Sequence, residues 1–113
     1  SSYVVRTQLE GRRTAIIAYV FARIILNEMH ILRIAVASDY QDKGVASWLL
    51  QHCFKLAKQK QVGAVDIEVR SSNTSAIALY HKAGFQQLGT RPNYYPETGE
   101  DALVMVNHLK ELL

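Results

Sequence analysis

The period of apolar and polar positions changes along this chain, and the changes mark its elements. Ala64-Val65-Asp66-Ile67-Glu68-Val69-Arg70 alternates strictly, with Val65, Ile67 and Val69 on one side and Asp66, Glu68 and Arg70 on the other. That pattern belongs to a half-buried strand. Over 44–60 the period lengthens. Val45, Leu49, Cys53 and Leu56 recur at helical spacing, Ala46, Leu50 and Ala57 widen the stripe, and Gln51, Lys55, Lys58 and Gln59 stay on the polar side. An amphipathic helix is predicted there, with Lys58 and Lys60 complementing the dipole in its last turn and Gln61-Val62-Gly63 ending it.

Apolar runs at 3–9 and 14–25 read as strands, joined through the turn residues Glu10-Gly11-Arg12-Arg13. Asn27-Glu28 breaks the second run. A third strand follows over 30–37, nearly all apolar and expected to be buried on both faces. Ser71-Ser72-Asn73-Thr74 supplies helix N-cap candidates, a short helix is predicted over 75–83, and Gly84 is its expected C′ residue. A strand over 85–91, a loop over 92–99 centred on Asn93-Tyr94-Tyr95-Pro96, and a last strand over 102–109 complete the chain. The order is β-β-β-α-β-α-β-β. Its strand–helix–strand middle calls for a central parallel pair, and the flanking hairpins for antiparallel edges. The fold class is therefore α/β (α+β mixed): a mostly antiparallel sheet with packed helices.

Composition narrows this modestly. The 113 residues allow one domain, residues 1–113, and 49% apolar content supports a core. A net charge of +3 favours a phosphate-bearing ligand only slightly. Arg12-Arg13 and Lys55, Lys58 and Lys60 have no aromatic platform between them, so no direct nucleic-acid partner is expected. The lone Cys53 excludes an intrachain disulfide, and a reducing cytoplasm is the simplest setting. The longest apolar run, 15–26, is broken by Arg23 and too short to span a membrane; no signal peptide is visible. His30, His52, His81 and His108 show no metal-ligand spacing, and no metal is expected. Trp48 reads as packing.

The candidate chemistry begins at Ile34-Ala35-Val36, followed by a loop carrying Gln41-x-x-Gly44-x-Ala46 at the start of a helix. Free N–H groups and the positive end of a helix dipole suit an anion such as phosphate. By itself this is equally an ordinary helix start containing a glycine. Glu68 by spacing alone is a solvated strand carboxylate or a partner of Arg70. Tyr80 is a buried aromatic or an acid, Asn73 a cap or a ligand, and Tyr94 and Tyr95 loop packing or substrate contacts.

Three motifs occur in order: the Gln41–Ala46 loop; Asn73-x-x-Ala76-x-x-x-Tyr80-x-x-x-Gly84-Phe85; and Asn93-Tyr94-Tyr95-Pro96 before Gly99-Glu100-Asp101-Ala102. Together they resemble the GNAT superfamily of acetyl-CoA-dependent N-acetyltransferases. Within it the likeness is to protein N-terminal acetyltransferases, closest to the bacterial group that acetylates a ribosomal-protein alanine. The resemblance implies acetyl transfer from acetyl-CoA to an amine by direct attack in a ternary complex. It makes Ile34, Ala35 and Val36 the strand that pairs with the pantetheine arm, and Asp42, Lys43, Gly44, Val45, Ala46 and Ser47 the pyrophosphate loop. It makes Glu68 the general base, Tyr80 the general acid, Asn73 a pantetheine ligand, and Tyr94 and Tyr95 neighbours of the substrate N-terminus. Cys53 as a nucleophile is not expected, because mid-helix burial raises a thiol pKa. A small-amine acetyltransferase, a non-catalytic CoA-binding module and a nucleotide site unrelated to CoA remain alternatives. The oligomeric state is left open.

Two departures stand out. Asp42 takes a place where the family often has a basic residue, with Lys43 expected to offset it. Family members also have a strand and two helices ahead of the first hairpin, forming one wall of the acceptor groove. The chain is expected to lack that part as a fragment, or to have the wall missing or supplied by a partner.

Overall fold

The computed structural model describes residues 2–9 and 15–109. Six strands and two helices follow the predicted order among the described residues: β1 (Ser2–Leu9), β2 (Ala15–Ile25), β3 (Glu28–Val36), α1 (Val45–Gln59), β4 (Ala64–Arg70), α2 (Thr74–Lys82), β5 (Gln86–Tyr95) and β6 (Glu100–His108). The sheet order is β1-β2-β3-β4-β6-β5. Among the described residues β3 and β4 are the parallel pair and every other neighbour is antiparallel. The expected turn at 10–13 and the tail after 109 lie outside the described residues.

Right-handed crossovers put both helices on one face of the sheet. Strand β4 shows why: Val65, Ile67 and Val69 are buried and their alternating neighbours are not. Those three pack with Met29 and Ile31 of β3, Met105 of β6, and Leu49, Leu50 and Cys53 of α1. Phe85 seals the end of this core, its ring 5.7 Å from Phe54 of α1 and 5.8 Å from Tyr80 of α2.

Both helices end in the same hydrogen-bonded way. In α1, Val62 N–H reaches Ala57 O and Gln61 N–H reaches Lys58 O; in α2, Phe85 N–H reaches Tyr80 O and Gly84 N–H reaches His81 O. This Schellman arrangement satisfies carbonyls that the helix end leaves free. It needs a left-handed residue at C′, supplied by Gln61 (φ 59°) and Gly84 (φ 101°).

Three expectations are corrected. Strand β3 is not buried on both faces: Leu32 is 51% exposed and Arg33 is exposed, because both helices cover the other side. It also carries a bulge. The β2 register runs Phe21↔Arg33 and then Ala22↔Ile31, leaving Leu32 as an extra residue. The predicted loop at 92–99 is largely strand, with only the turn at 96–99 beyond it. Strand β5 lies at the sheet edge, where Pro92 needs no N–H partner, and a register shift between Arg91 and Tyr95 absorbs the proline and left-handed Asn93. A 3-10 turn at Ser38–Tyr40, not foreseen, links β3 to the loop before α1.

Gly84 is required for two reasons. Its φ is disfavoured for any other residue, and a Cβ there would lie 3.1 Å from Asn107 Nδ2, whose amide bonds Ala83 O. Gly84→Ala is expected to cost about 1–3 kcal/mol, read as a lower midpoint in urea denaturation with an unchanged slope.

Candidate active site

The site starts where β3 and β4 part. Their parallel ladder holds from Glu28↔Ala64 to Ile31↔Ile67 and then stops, at the Leu32 bulge. Beyond it Ala37 N–H donates to Ile17 O at 2.7 Å, on the β2 side. Strand peptide groups alternate in direction. The groups of Ala35 therefore face β2, and those of Ile34 and Val36 face the gap. Gln41 Nε2 closes part of it by donating to Val36 O at 3.0 Å. An extended ligand with amide groups can add to such an edge as a strand would.

The gap leads to the start of α1. Gly44 (φ 79°) is the N-cap, and Trp48 N–H to Gly44 O is the first intrahelical bond. The N–H groups of Val45, Ala46 and Ser47 precede that bond, and no acidic residue sits in the first turn. These residues line a cleft of about 590 Å³ together with Ile34, Val36 and Asp42 from one side and Asn73, Ala76, Leu79, Tyr80 and Lys82 from α2 and its entry. It is a strand edge at one end and an anion-attracting helix start at the other. Lys43 is not in that lining; its Nζ lies 5.7 Å from the ring of Tyr40, which is, and the residue lines a separate hollow beside Trp48. Asp42 is exposed on the rim with no ion pair to Lys43 among the described residues.

Asn73 caps α2: its Oδ1 accepts from Ala76 N–H at 3.3 Å and from Ser75 Oγ at 3.3 Å. The cap uses the oxygen and leaves the amide nitrogen as a donor. Tyr80, two turns along, is 5% exposed with its ring against Phe85. Burial first, and Tyr95 second, push its phenol up to about 12. It is a neutral hydrogen-bond donor at any physiological pH.

A second cleft, about 490 Å³, is lined by Leu32, Arg33, Ile34, Glu68, Arg70, Asn73, Tyr80 and Tyr95, among others. The two clefts share Ile34, Asn73 and Tyr80. Glu68 does not pair with Arg70. Its Oε1 lies 3.3 Å from Arg91 Nε, and its Oε2 is buried without a hydrogen-bond partner. An unmet buried carboxylate oxygen is costly unless a ligand donor or water meets it. Arg70 instead bonds Glu97, Thr98 and Glu100 and stacks 3.9 Å over Tyr95. Its hydrogen bond is the main cause holding Glu97 below the usual carboxylate range. Tyr94 stacks edge-on against Tyr95 at 5.1 Å but is 47% exposed and lines neither cleft.

The fold thus gathers Ile34, Val36, Asp42, Gly44, Val45, Ala46, Ser47, Asn73 and Tyr80 around the first cleft, and Glu68 and Tyr95 around the second. Ala35, Lys43 and Tyr94 lie outside both linings. Sequence reasoning missed Gln41 as a tie for the strand end, Lys82 on the rim, and Arg91 as the partner of Glu68. Lys82 was not indicated by spacing, since nine residues from Asn73 is half a turn out of phase on a helix. Nor was Arg91, because only strand order brings it to Glu68. The fold also brings Glu28, His30 and Asp66 together across β3 and β4, with His30 Nδ1 2.7 Å from Asp66. Separation along the chain does not show this group.

Residues 1–85 match the acetyltransferase (GNAT) family. The chain is 40% identical over 90 residues to the ribosomal protein bS18-alanine N-acetyltransferase of Escherichia coli, covering 78% of this chain and 61% of that protein. It is 38% identical over 82 residues to a putative enzyme of the same name from Bacillus subtilis, covering 73% and 54%. The chain therefore spans little more than half the length of these relatives. The crystal structure of the ribosomal-protein-S18-alanine N-acetyltransferase from Escherichia coli superimposes with a TM-score of 0.83 at 34% identity, covering 97% of this chain and 72% of that one.

Cys53 contributes nothing to either cleft. It is 1% exposed, and burial pushes its thiol up to about 11. A disulfide reagent such as Ellman's is expected to label it in the native chain only as fast as the chain unfolds, and within seconds in strong urea. Rapid native labelling would contradict this placement.

Proposed function

Because the chain belongs to the GNAT acetyltransferase family, we propose that it moves an acetyl group from acetyl-CoA to the N-terminal α-amine of a protein, of the ribosomal-protein alanine type. The observation that carries this reading is the meeting of two clefts at Tyr80, one ending in a helix start suited to phosphates and the other holding Glu68. The names of the E. coli and B. subtilis relatives support a peptide acceptor. In this reading residues 1–113 act as one acetyltransferase domain, and the single buried thiol suits a reducing compartment such as the cytoplasm.

The acyl donor lies along β3. The peptide groups of Ile34 and Val36 pair with its pantetheine amides, Asn73 Nδ2 adds a donor, and the N–H groups of Val45, Ala46 and Ser47 with Gly44 hold the pyrophosphate. Asp42 stands beside that anion and weakens its binding. The acceptor amine enters by the second cleft, past Tyr95, with Tyr94 on the outer rim.

The amine must be neutral to attack. An α-amine with a pKa near 8 is neutral in roughly one molecule in ten at pH 7. Glu68 takes its proton, directly or through one water, with the unmet Oε2 as the accepting atom. The amine nitrogen forms the new C–N bond as the C–S bond breaks, its second surplus proton passes to solvent, and the sulfur departs as a thiolate. Tyr80 meets that sulfur. A phenol at about 12 against a thiol near 8.5 makes full proton transfer uphill by ~5 kcal/mol. Tyr80 therefore stabilises the thiolate by a hydrogen bond, and the thiolate's final proton comes from solvent.

The direct test is mass-spectrometric acetylation of peptides differing in their first residue, beside a polyamine and an aminoglycoside. Transfer to an alanine-first peptide is expected; preference for a small amine would select the alternative acceptor class, and CoA binding without any product would mark a non-catalytic module. Tyr80→Phe is expected to lower turnover about 10–1000-fold while acetyl-CoA still binds. Unchanged turnover would remove its role at the sulfur. For Glu68→Gln the loss should be greatest at low pH, where the amine is most protonated, and smallest above the amine pKa. A deficit constant across pH would argue against a base.

A further inference from the structure

The β5–β6 turn and the connection from β4 to α2 are far apart in sequence, yet one guanidinium holds them together. Arg70, the last residue of β4, donates to Thr98 Oγ1 at 3.3 Å and to Glu100 Oε2 at 3.4 Å, pairs with Glu97, and lies flat on the Tyr95 ring with 3.9 Å from its guanidinium carbon to the ring centre. Glu100 passes the connection back. Its Oε1 accepts from Ser72 N–H at 3.1 Å, and Ser71 N–H reaches Asp101 O at 3.1 Å. Arg70 O accepts from Asn73 N–H at 3.0 Å, so the same residue also anchors the start of the helix that carries Tyr80. Tyr95 and Arg70 line the second cleft, and Asn73 and Tyr80 line both.

Exposed ion pairs contribute little to global stability. A planar fork that engages three acceptors and stacks on a ring contributes geometry instead. The half-buried Tyr95 ring has its outer face covered by this guanidinium and its edge met by Tyr94. Without Arg70 the ring has only Tyr94 left to hold its angle among these contacts.

Building on the acetyl-transfer reading, we propose that Arg70 is a positioning residue for the acceptor: it fixes Tyr95 and the β5–β6 turn as the wall of the acceptor cleft and sets that wall relative to Asn73 and Tyr80. It takes no part in the proton transfers. Its loss acts on the acceptor side, leaving the helix start at Gly44–Ser47 and the strand edge at Ile34 untouched.

The test compares the wild-type chain with Arg70→Gln and Arg70→Lys. For Arg70→Gln the peptide KM is expected to rise about tenfold or more while acetyl-CoA affinity, by calorimetry, stays within about twofold. A purely structural role would lower kcat with the active fraction and leave KM alone, and that result overturns the proposal. Lysine keeps the charge but lacks the planar fork, so Arg70→Lys is expected to leave KM raised; wild-type KM in Arg70→Lys overturns the stacking role. Amide hydrogen exchange supplies a readout independent of turnover. In Arg70→Gln, exchange is expected to quicken about tenfold at 98–100 and at Ser72 while β2 and the remainder of β6, 102–108, keep their protection. Unchanged exchange there overturns the proposal. A wild-type chain that acetylates no peptide defeats the parent reading alone, and the exchange arm still decides the role of Arg70.

Discussion

The separation of β3 from β4 after Ile31↔Ile67 is the constraint on which the rest of the molecule depends. Parallel neighbours pair as far as their backbones stay a hydrogen-bond apart, and the extra residue at Leu32 twists β3 out of that distance. Two consequences follow from one bulge. The peptide groups of Ile34 and Val36 lose their partner strand and become an edge that a ligand can complete. Glu68 and Arg70, on the part of β4 beyond the ladder, gain open space beside them. A continuous sheet would have neither cleft. The short ladder, reinforced by the His30–Asp66 bridge and by Gly63 N–H to Asn27 O, keeps the strands together below the fork.

The electrostatics divide along the same line. On the β3 side the chain presents main-chain donors and a helix start, a fixed positive end that needs no charged side chain. Lys43 sets its Nζ over the Tyr40 ring, and Asp42, in the lining of the first cleft, is an unfavourable charge beside the helix start. On the β4 side the charges are side chains. Glu68 is partly balanced by Arg91 yet keeps one buried oxygen unmet. Tyr80, at the junction, is held neutral by burial. A neutral phenol that lines both clefts and a carboxylate oxygen without a partner beside the second are the pair on which the proposed acetyl transfer rests. Arg70 links the β5–β6 turn to the entry of α2, through its guanidinium to Thr98, Glu97 and Glu100 and its carbonyl to Asn73 N–H.

Much of the fold was legible in the residues because it rests on local physics. Alternation over 64–70, the long period over 45–59, the glycine at position 84 and the succession of short connections were enough for the elements, their order and the parallel pair. Short-range geometry placed Gly44–Ser47 at a helix start, Glu68 on a strand face and Asn73 and Tyr80 two turns apart, but left their roles open; only the resemblance to the GNAT superfamily singled them out as candidates. Misreadings arose where a neighbour decided the outcome. Pro92 looked like a loop residue and is tolerated in β5 only because that strand is an edge. Apolar β3 looked doubly buried and is covered on one face because both crossovers have the same hand.

Pairing of residues distant in the chain was beyond the sequence. Arg70 is adjacent to Glu68 in the alternation and seemed its natural partner, yet a strand holds residues two apart on one face at nearly 7 Å. Long side chains settle the contest: Arg91 reaches across β6 from β5 to meet Glu68, and Arg70 reaches Glu97 in the β5–β6 turn and Glu100 at the start of β6. The bulge at Leu32 has no local signature either, being a mismatch between two registers. By itself, then, the sequence determined which residues form each element and what chemistry each can carry, because those depend on periods of two and 3.6. The tertiary structure alone decided where the sheet opens, which carboxylate meets which arginine and which tyrosine lines a cleft, because those depend on distances between strands that only folding brings together.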